Sequence, residues 1–324
     1  MVMAIVQATH GGPEVLTPAD VEVGAPAEGE VRVRHTAIGL NFIDCYVRTG
    51  LYPLLDPPGT IGMEAAGVVE ATGTGVTDVH AGDRVAYVWN QPGTYVAERN
   101  VPARWLVKLP AGVGDREAAA MMLKGMTAEY LLHRMTAARA GDTVLVHAAA
   151  GGVGLILTAW AKHKGCTVIG TVSTDAKAEI AKAHGADHVV VTTRERLPER
   201  VMELTGGEGC IYIYDGIGKD TFEDSLASLK KHGHLVSYGN ASGKVPPFDL
   251  SVLTPRCARI SRPSLFPHIA TRPELDEVAG NLLDAMATGV VKVDINQTYP
   301  LAEAAQAHAD LEARKTTGQT VLLP

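Results

Sequence analysis

Hydrophobic and polar positions in the first third of the chain alternate over short runs. Glu30-Val-Arg-Val-Arg-His puts an apolar side chain at every second residue, the period of a half-buried strand. Ala66-Gly-Val-Val-Glu-Ala and Asp83-Arg-Val-Ala-Tyr-Val read as further short strands. Between them stand Pro53, Pro57, Pro58, Gly59, Gly62, Gly67, Gly73, Gly75 and Gly82. Short strands separated this often by turn residues predict a small barrel.

Near residue 115 the rhythm changes. Residues 116–134 are rich in Ala, Leu and Met and suit a helix. Strands over 143–148, 167–172, 188–191, 210–215 and 234–239 then alternate with helices over 153–164, 176–184, 196–205 and 221–231. Such a βαβ series predicts a parallel sheet covered on both faces. Past Arg272 the pattern gives a helix, a strand near Val291, a helix over 301–313 and a last strand from Thr320. No internal repeat of 20–50 residues is visible.

Residues 143–161 contain no Asp, Glu, Lys or Arg, a length that would suit a membrane helix. Gly151, Gly152 and Gly154 interrupt the run and His147 lies inside it, so a buried strand turning into a buried helix explains it better. The start, Met1-Val-Met-Ala-Ile-Val-Gln-Ala, lacks the basic residues and longer apolar run of an export signal. A cytoplasmic protein is the expectation.

Composition narrows the class further. Hydrophobic residues at 46% and charged residues at 20% exclude wholesale disorder. A net charge of −7 without a long basic run argues against nucleic acid or an anionic membrane as main partner. Cys45, Cys166, Cys210 and Cys257 form no C-x-x-C and no close pair, against a disulfide framework or a four-thiolate zinc site.

The run Val144-Leu-Val-His-Ala-Ala-Ala-Gly-Gly-Val-Gly carries the most chemistry. It keeps the second and third glycines of G-x-G-x-x-G as Gly151 and Gly154, with Ala149 at the first. Gly151 lets backbone approach a pyrophosphate, Gly154 lets helix and strand pack, and the helix aims free N–H groups at the phosphates. The strand–turn–helix context makes this a dinucleotide site. Val153, Ile156, Leu157 and Trp160 give the helix one apolar face. An NAD-preferring site puts an acid about 20 residues past the glycines. Ser173 stands there instead, with Thr174, Asp175 and Lys177 after it. Ser173 can bond a 2′-phosphate and Lys177 can supply charge, which favours NADPH. Asp175 would repel phosphate, but its expected use is to cap the helix at Ala176.

These residues resemble the zinc-free, ζ-crystallin-like quinone oxidoreductases of the medium-chain dehydrogenase/reductase superfamily. The matching segments run almost end to end: Asn41-Phe-Ile-Asp-Cys-Tyr-Val-Arg-Thr-Gly-Leu-Tyr-Pro, Gly62-Met-Glu-Ala-Ala-Gly-Val-Val, Ala81-Gly-Asp-Arg-Val, Leu123-Lys-Gly-Met-Thr-Ala, His147-Ala-Ala-Ala-Gly-Gly-Val-Gly, Val236-Ser-Tyr-Gly-Asn, Arg262-Pro-Ser-Leu and Gly289-Val-Val-Lys-Val. The resemblance implies an α/β protein: a GroES-like β-barrel catalytic domain over 1–124 and 268–324, and a Rossmann doubly wound parallel-sheet domain over 125–267. It implies that Asn41, Phe42, Asp44 and Tyr46 lie beside the nicotinamide ribose and the quinone, and that Tyr52 forms a second wall of the substrate pocket. Thr127 and Tyr130 would hold the nicotinamide half. Gly152 and Val153 would contact the pyrophosphate, with Ser173, Thr174 and Lys177 at the adenosine phosphate. Gly216, Ile217, Tyr238, Gly239 and Asn240 would cover adenine and ribose. Thr192 stands where relatives carry a tyrosine near the 2′-phosphate. Tyr46 and Tyr52, six apart near Gly50 and Pro53, could equally cap the mouth of the barrel.

Zinc alcohol dehydrogenases of the superfamily carry a Gly-His-Glu segment; this chain has Gly62-Met63-Glu64, with Asn41 where the first thiolate would come and no cysteine between 90 and 110. No metal is expected. His232-Gly-His234 is expected to cap a helix C-terminus rather than bind metal. Without a Lewis acid, suitable substrates are those that spread the incoming charge themselves, quinones or activated enones. Asn41, Tyr46 and Tyr52 can supply hydrogen-bond donors for their carbonyl oxygens. The expected function is NADPH:quinone reduction. The alternatives are an NADPH-dependent 2-alkenal or enone reductase, and the structural or RNA-binding role that ζ-crystallin-like chains can take. Residues 258–265 are expected to form the outermost strand of the nucleotide sheet, whose open edge would pair across a two-fold axis in a homodimer.

Overall fold

The computed structural model describes residues 1–324. Short apolar runs at the start form β1 (Val2–Gln7), which pairs antiparallel with β2 (Leu16–Val21). The alternating run predicted at Glu30 is the start of β3 (Glu30–Gly39). Its side chains alternate between buried and partly exposed as far as His35. Ala37, Ile38 and Gly39 are then all buried, where the strand delivers the chain to α1 (Phe42–Arg48). β4 (Gly59–Thr60) joins β1, while β5 (Glu64–Thr72) and β7 (Glu98–Pro102) flank β3. β6 (Arg84–Val88) and β8 (Val107–Lys108) extend the sheet beyond β5. Then α2 (Asp115–Tyr130) begins, buried through Ala118–Met122 and ending in a wider π turn over Leu131–Met135.

The parallel sheet follows. Its strands are β9 (Thr143–Val146), β10 (Thr167–Val172), β11 (His188–Val191), β12 (Cys210–Asp215), β13 (Leu229–Ser237) and β14 (Arg259–Ser261). Between them run α3 (Gly152–His163), α4 (Asp175–Ala183), α5 (Leu197–Leu204) and α6 (Phe222–Ala227). The spatial order is β11-β10-β9-β12-β13-β14, the 3-2-1-4-5-6 order of a dinucleotide-binding sheet, whose direction of winding switches between β9 and β12. Leu145, Ile169, Val190, Leu197, Val201, Ile213, Phe222 and Leu235 form its core. The charge-free run 143–161 is therefore β9 turning into α3, and no helix is long and apolar enough to cross a membrane. The chain ends with α7 (Arg272–Ala287), β15 (Ile295–Pro300), α8 (Ala304–Glu312) and β16 (Gln319–Leu323). β16 pairs with both β15 and β3. Two compact units result, one of residues 1–126, 266–287 and 293–324, the other of 127–265 and 288–292.

Four local expectations need correction. The helix read over 221–231 stops at Ala227, because Leu229 pairs with Cys210 and begins β13. His232 and His234 therefore lie inside a strand and cap nothing: His232 takes φ +63° at an irregularity, and His234 bonds the Ser261 hydroxyl at 2.8 Å. The strand read near Val291 begins at Ile295, after a turn at Gly289 with φ +72°. The edge strand β14 has three residues, not the eight expected, since Pro263 ends it.

A buried polar chain ties α1 to α8. Asp44 Oδ2 accepts from the Asn41 N–H at 2.9 Å and the Tyr95 hydroxyl at 3.1 Å; Tyr95 Oη in turn meets His308 Nε2 at 3.0 Å. Arg48 Nη1 lies 2.9 Å from His308 Nδ1, and Nη2 reaches the Glu312 carboxylate at 2.8 and 2.9 Å. A guanidinium only donates, so Nδ1 is the acceptor and Nε2 carries the proton. From Arg48 Nη1 through His308 and Tyr95 each hydrogen then points toward Asp44. Burial and the Arg48 charge lower the His308 pKa to about 3, and burial lowers that of His35 to about 4. Burial raises Asp44 to about 7, against the hydrogen bonds from Asn41 and Tyr95.

Between pH 6.5 and 3 the unfolded His308 binds a proton that the folded one refuses, so stability falls as pH falls through this window. The expected slope from this residue is about 1.4 kcal/mol per pH unit. Asp44 acts oppositely, since its folded form takes up a proton first as pH drops from 7. Urea melts at pH 7, 6 and 5 should therefore show a shallower acid loss for His308→Gln than for the native chain. An unchanged slope would contradict the neutral assignment.

Candidate active site

The turn after β9 is set by close packing. Ala148 adopts φ +49°, one residue before the motif's first position, and its N–H is held by Thr171 Oγ1 at 3.3 Å. Ala149 is buried against Gly170, where a Cβ on that glycine would come within 2.7 Å of it. Gly151 precedes α3 and donates its N–H to the Ala148 carbonyl at 2.8 Å. At Gly154 any Cβ would collide with that same carbonyl, so only glycine lets α3 start so near the strand. Gly152 and Val153 are the first two residues of the helix, at the end where N–H groups point outward. Ile156, Leu157 and Trp160 bury its apolar face, with Val153 half-exposed.

A second buried chain joins this turn to the loop beyond β12. His147 Nδ1 lies 3.1 Å from Thr171 Oγ1 and Nε2 lies 2.9 Å from Ser225 Oγ. Ser225 donates to Asp215 Oδ2 at 3.0 Å, and Asp215 Oδ1 receives the Ile217 and Gly218 N–H groups at 2.8 and 3.1 Å. Burial lowers the His147 pKa and keeps the ring neutral. Gly216 and Ile217 are thereby shaped by the residues that hold the glycine turn. Tyr238 packs over Gly216, and Gly239 and Asn240 are buried behind it.

At the ends of β10 and β11, Ser173 is half-buried and Thr174 caps α4, its hydroxyl accepting the Lys177 N–H at 3.3 Å. Asp175 is thus not the cap. It is the first helical residue, and its carboxylate pairs with Arg194 at 2.6 Å. Thr192 turns its hydroxyl back to the Val172 carbonyl at 3.1 Å.

Around α1 the side chains gather as one cluster. Phe42 and Tyr46 rings lie 6.3 Å apart, and Tyr46 and Tyr52 rings 5.0 Å apart. Asn41, at the head of α1, is buried and gives an Nδ2 hydrogen to Glu64 Oε1 at 2.8 Å. Glu64 is fully buried; Oε2 receives the Leu123 N–H at 2.5 Å and Oε1 lies 3.4 Å from Lys124 Nζ. An ionised carboxylate only accepts, so the Asn41 amide cannot flip. Its Oδ1, buried and without a hydrogen-bond partner, is left as an acceptor for an arriving hydroxyl. Gly39 permits this arrangement, because a Cβ there would collide with the Glu64 carboxylate and the Ala119 carbonyl. Thr127 and Tyr130, further along α2, are buried as well.

The donors here do not fit a zinc ion. Met63 is a fully buried thioether, Cys45 packs its sulfur 3.4 Å from His308, and no three His, Cys, Asp or Glu side chains converge as ligands. Glu64, Lys124 and Arg194 received no role from the sequence. For the first two the available signal was a charge inside an apolar run, Met63-Glu-Ala-Ala and Met122-Leu-Lys-Gly-Met.

Glu64→Gln leaves the Lys124 ammonium buried without its counter-charge, a loss of about 3 kcal/mol of unfolding free energy. The double variant Glu64→Gln/Lys124→Met should recover most of that loss in urea melts. A double variant no better than the single one would show that the pair is not coupled.

Comparison with known proteins agrees with this geometry. Residues 27–138 match the alcohol dehydrogenase GroES-like domain, and residues 152–280 match the family described as zinc-binding dehydrogenase. A quinone oxidoreductase of Pseudomonas aeruginosa is 47% identical, covering 98% of each chain. A 2-haloacrylate reductase of Burkholderia sp is 46% identical over 100% of this chain and 99% of its own. Among solved structures, an Escherichia coli quinone oxidoreductase complexed with NADPH superimposes with a TM-score of 0.97 at 44% identity, over 99% of this chain and 100% of that one. The fold is a GroES-like domain joined to a Rossmann-type sheet, and over nearly its whole length the chain belongs to the quinone oxidoreductases of the medium-chain dehydrogenase/reductase superfamily.

Proposed function

We propose that this protein reduces quinones with NADPH and without a metal ion. The observation that carries the reading is the glycine turn at 151–154, built for a pyrophosphate, in a chain 47% identical to a quinone oxidoreductase. NADPH supplies the hydride when bound. Gly152 and Val153 bind its pyrophosphate through backbone N–H groups at the start of α3, and Gly151 and Gly154 leave the backbone bare enough for it to approach. Ser173, Thr174 and Lys177 take the 2′-phosphate, with Thr192 beside them. Gly216, Ile217, Tyr238, Gly239 and Asn240 cover adenine and ribose. On the nicotinamide half, Asn41 Oδ1 accepts from a ribose hydroxyl, with Phe42, Asp44 and Tyr46 around it; Thr127 and Tyr130 are further contacts of the cofactor. Tyr46 and Tyr52 offer aromatic faces and hydroxyl donors to the quinone, and Asn41 its second N–H. A quinone spreads the incoming charge over its own ring and oxygens, so neutral donors suffice where an alcohol dehydrogenase needs zinc. The product oxygens can take protons from water.

The 46% identity to a 2-haloacrylate reductase favours a second reading, reduction of an activated alkene by the same residues. One assay separates the two. After exhaustive dialysis against a chelator, NADPH oxidation should proceed with a benzoquinone and run slower with 2-chloroacrylate. Turnover of the acrylate alone would establish the second reading, and activity restored only by zinc would overturn both. Lys177→Ala should raise the NADPH dissociation constant about tenfold, one charge-assisted hydrogen bond, and leave NADH unchanged.

The protein also acts as a homodimer in this reading. Only β13 pairs with β14, whose other edge is open, and the segment leading into it exposes Leu250 at 72% and Val252 at 47%. A second copy would cover both. Light scattering at micromolar concentration should give twice the single-chain mass, falling to one chain in Leu250→Glu/Val252→Glu; a native monomer would refute the assembly. Four unpaired cysteines suit a reducing compartment such as the cytoplasm.

A further inference from the structure

Beside the proposed phosphate site lies an ion pair with no part in the reading above. Arg194 Nη1 donates to Asp175 Oδ2 at 2.6 Å, and both side chains are largely exposed, at 57% and 72%. The neighbouring Thr193 fixes the backbone here by donating its hydroxyl to the Ser173 carbonyl at 3.1 Å. Arg194 is thus held across the first turn of α4, beside the cap that presents Ser173, Thr174 and Lys177. The other nearby acid is turned away: Glu195 accepts the Val191 N–H at 2.8 Å and pairs with Arg200. An exposed pair of this kind adds little to folding stability. Its removal is therefore readable in ligand binding without disturbing the fold.

We infer that Arg194 is a specificity-determining residue for the 2′-phosphate: it cancels the charge of Asp175 and turns its remaining N–H donors to the phosphate oxygens. An acid at the end of the second strand selects NAD, by accepting from the ribose hydroxyls and repelling a phosphate there. Asp175 is not at that strand end, which Ser173 occupies, but as the first residue of α4 it puts a carboxylate next to it. The hydrogen bond from Arg194 keeps its pKa below the ordinary carboxylate value, so it is charged at neutral pH. Left alone with Lys177, it would reduce the local charge to zero. With Arg194 the three side chains sum to one positive charge. A guanidinium has five N–H donors in a planar fork, and this one gives a single bond to Asp175. Bidentate contact to a phosphate therefore remains open to it.

This rests on the NADPH reading, and direct binding can separate the two. Full-length protein is titrated with NADPH and with NADH by calorimetry at low salt. Arg194→Ala should raise the NADPH dissociation constant about tenfold while NADH stays within about twofold. Adding Asp175→Asn to that variant should recover at least about threefold for NADPH, because the unmasked repulsion is removed. The inference is overturned if Arg194→Ala changes NADPH binding by less than twofold, if NADH weakens equally, or if Asp175→Asn recovers nothing. Should Lys177→Ala weaken NADPH when Arg194→Ala does not, the NADPH reading stands and this inference falls; if neither matters, both fall.

Discussion

The approach of α3 to the turn after β9 is the constraint on which the nucleotide-binding unit depends. Gly154 lies so near the Ala148 carbonyl that no side chain fits between them. Ala148 must in turn adopt a left-handed conformation, which costs an L-residue about 1 kcal/mol. Thr171, His147, Ser225 and Asp215 hold that conformation through successive hydrogen bonds, and Asp215 carries the constraint into the backbone at Ile217 and Gly218. Two loops distant in sequence are thereby set together, each at the carboxyl end of a parallel strand where such sheets bind ligands.

The other unit solves a different problem, the burial of charge. Glu64 and Lys124 are both buried, and their carboxylate is satisfied by three donors. That pairing fixes the Asn41 amide, leaving its oxygen unused. Asp44, on the other side of Asn41, is satisfied differently: its surroundings favour the protonated form near neutral pH, and a neutral tyrosine and histidine stand behind it. One carboxyl is paired with a lysine and the other is pushed toward neutrality by burial. The contrast follows from their neighbours, since both are carboxyls of nearly equal intrinsic acidity.

The proposed metal-free chemistry and the proposed substrate class meet in the same cluster. Met63 puts an apolar thioether where a zinc enzyme of this superfamily would carry imidazole, and the surrounding groups are committed to one another. In the function proposed above, polarisation of a substrate oxygen falls to amide and phenol donors, weaker than a metal ion but sufficient for an acceptor that stabilises its own charge.

The sequence determined the architecture. Period-two runs punctuated by Gly and Pro, followed by a βαβ series, require a β-rich unit and a parallel sheet, because only those arrangements bury such patterns. The glycine turn was legible for the same reason: steric exclusion acts locally and leaves its mark as missing side chains. Where the pattern was ambiguous, tertiary pairing decided. Leu229 belongs to a strand because Cys210 lies opposite it, and His232 and His234 follow it there. α1 gave no periodic signal, being seven residues long and buried from Asp44 to Arg48. Charge partners were least legible of all. Glu64 meets Lys124 across 60 positions, Arg48 meets His308 across 260 and Asp175 meets Arg194 across 19. Such separations are closed only by the folded chain, because a Coulomb or hydrogen-bond contact depends on distance in space and leaves no period along the sequence.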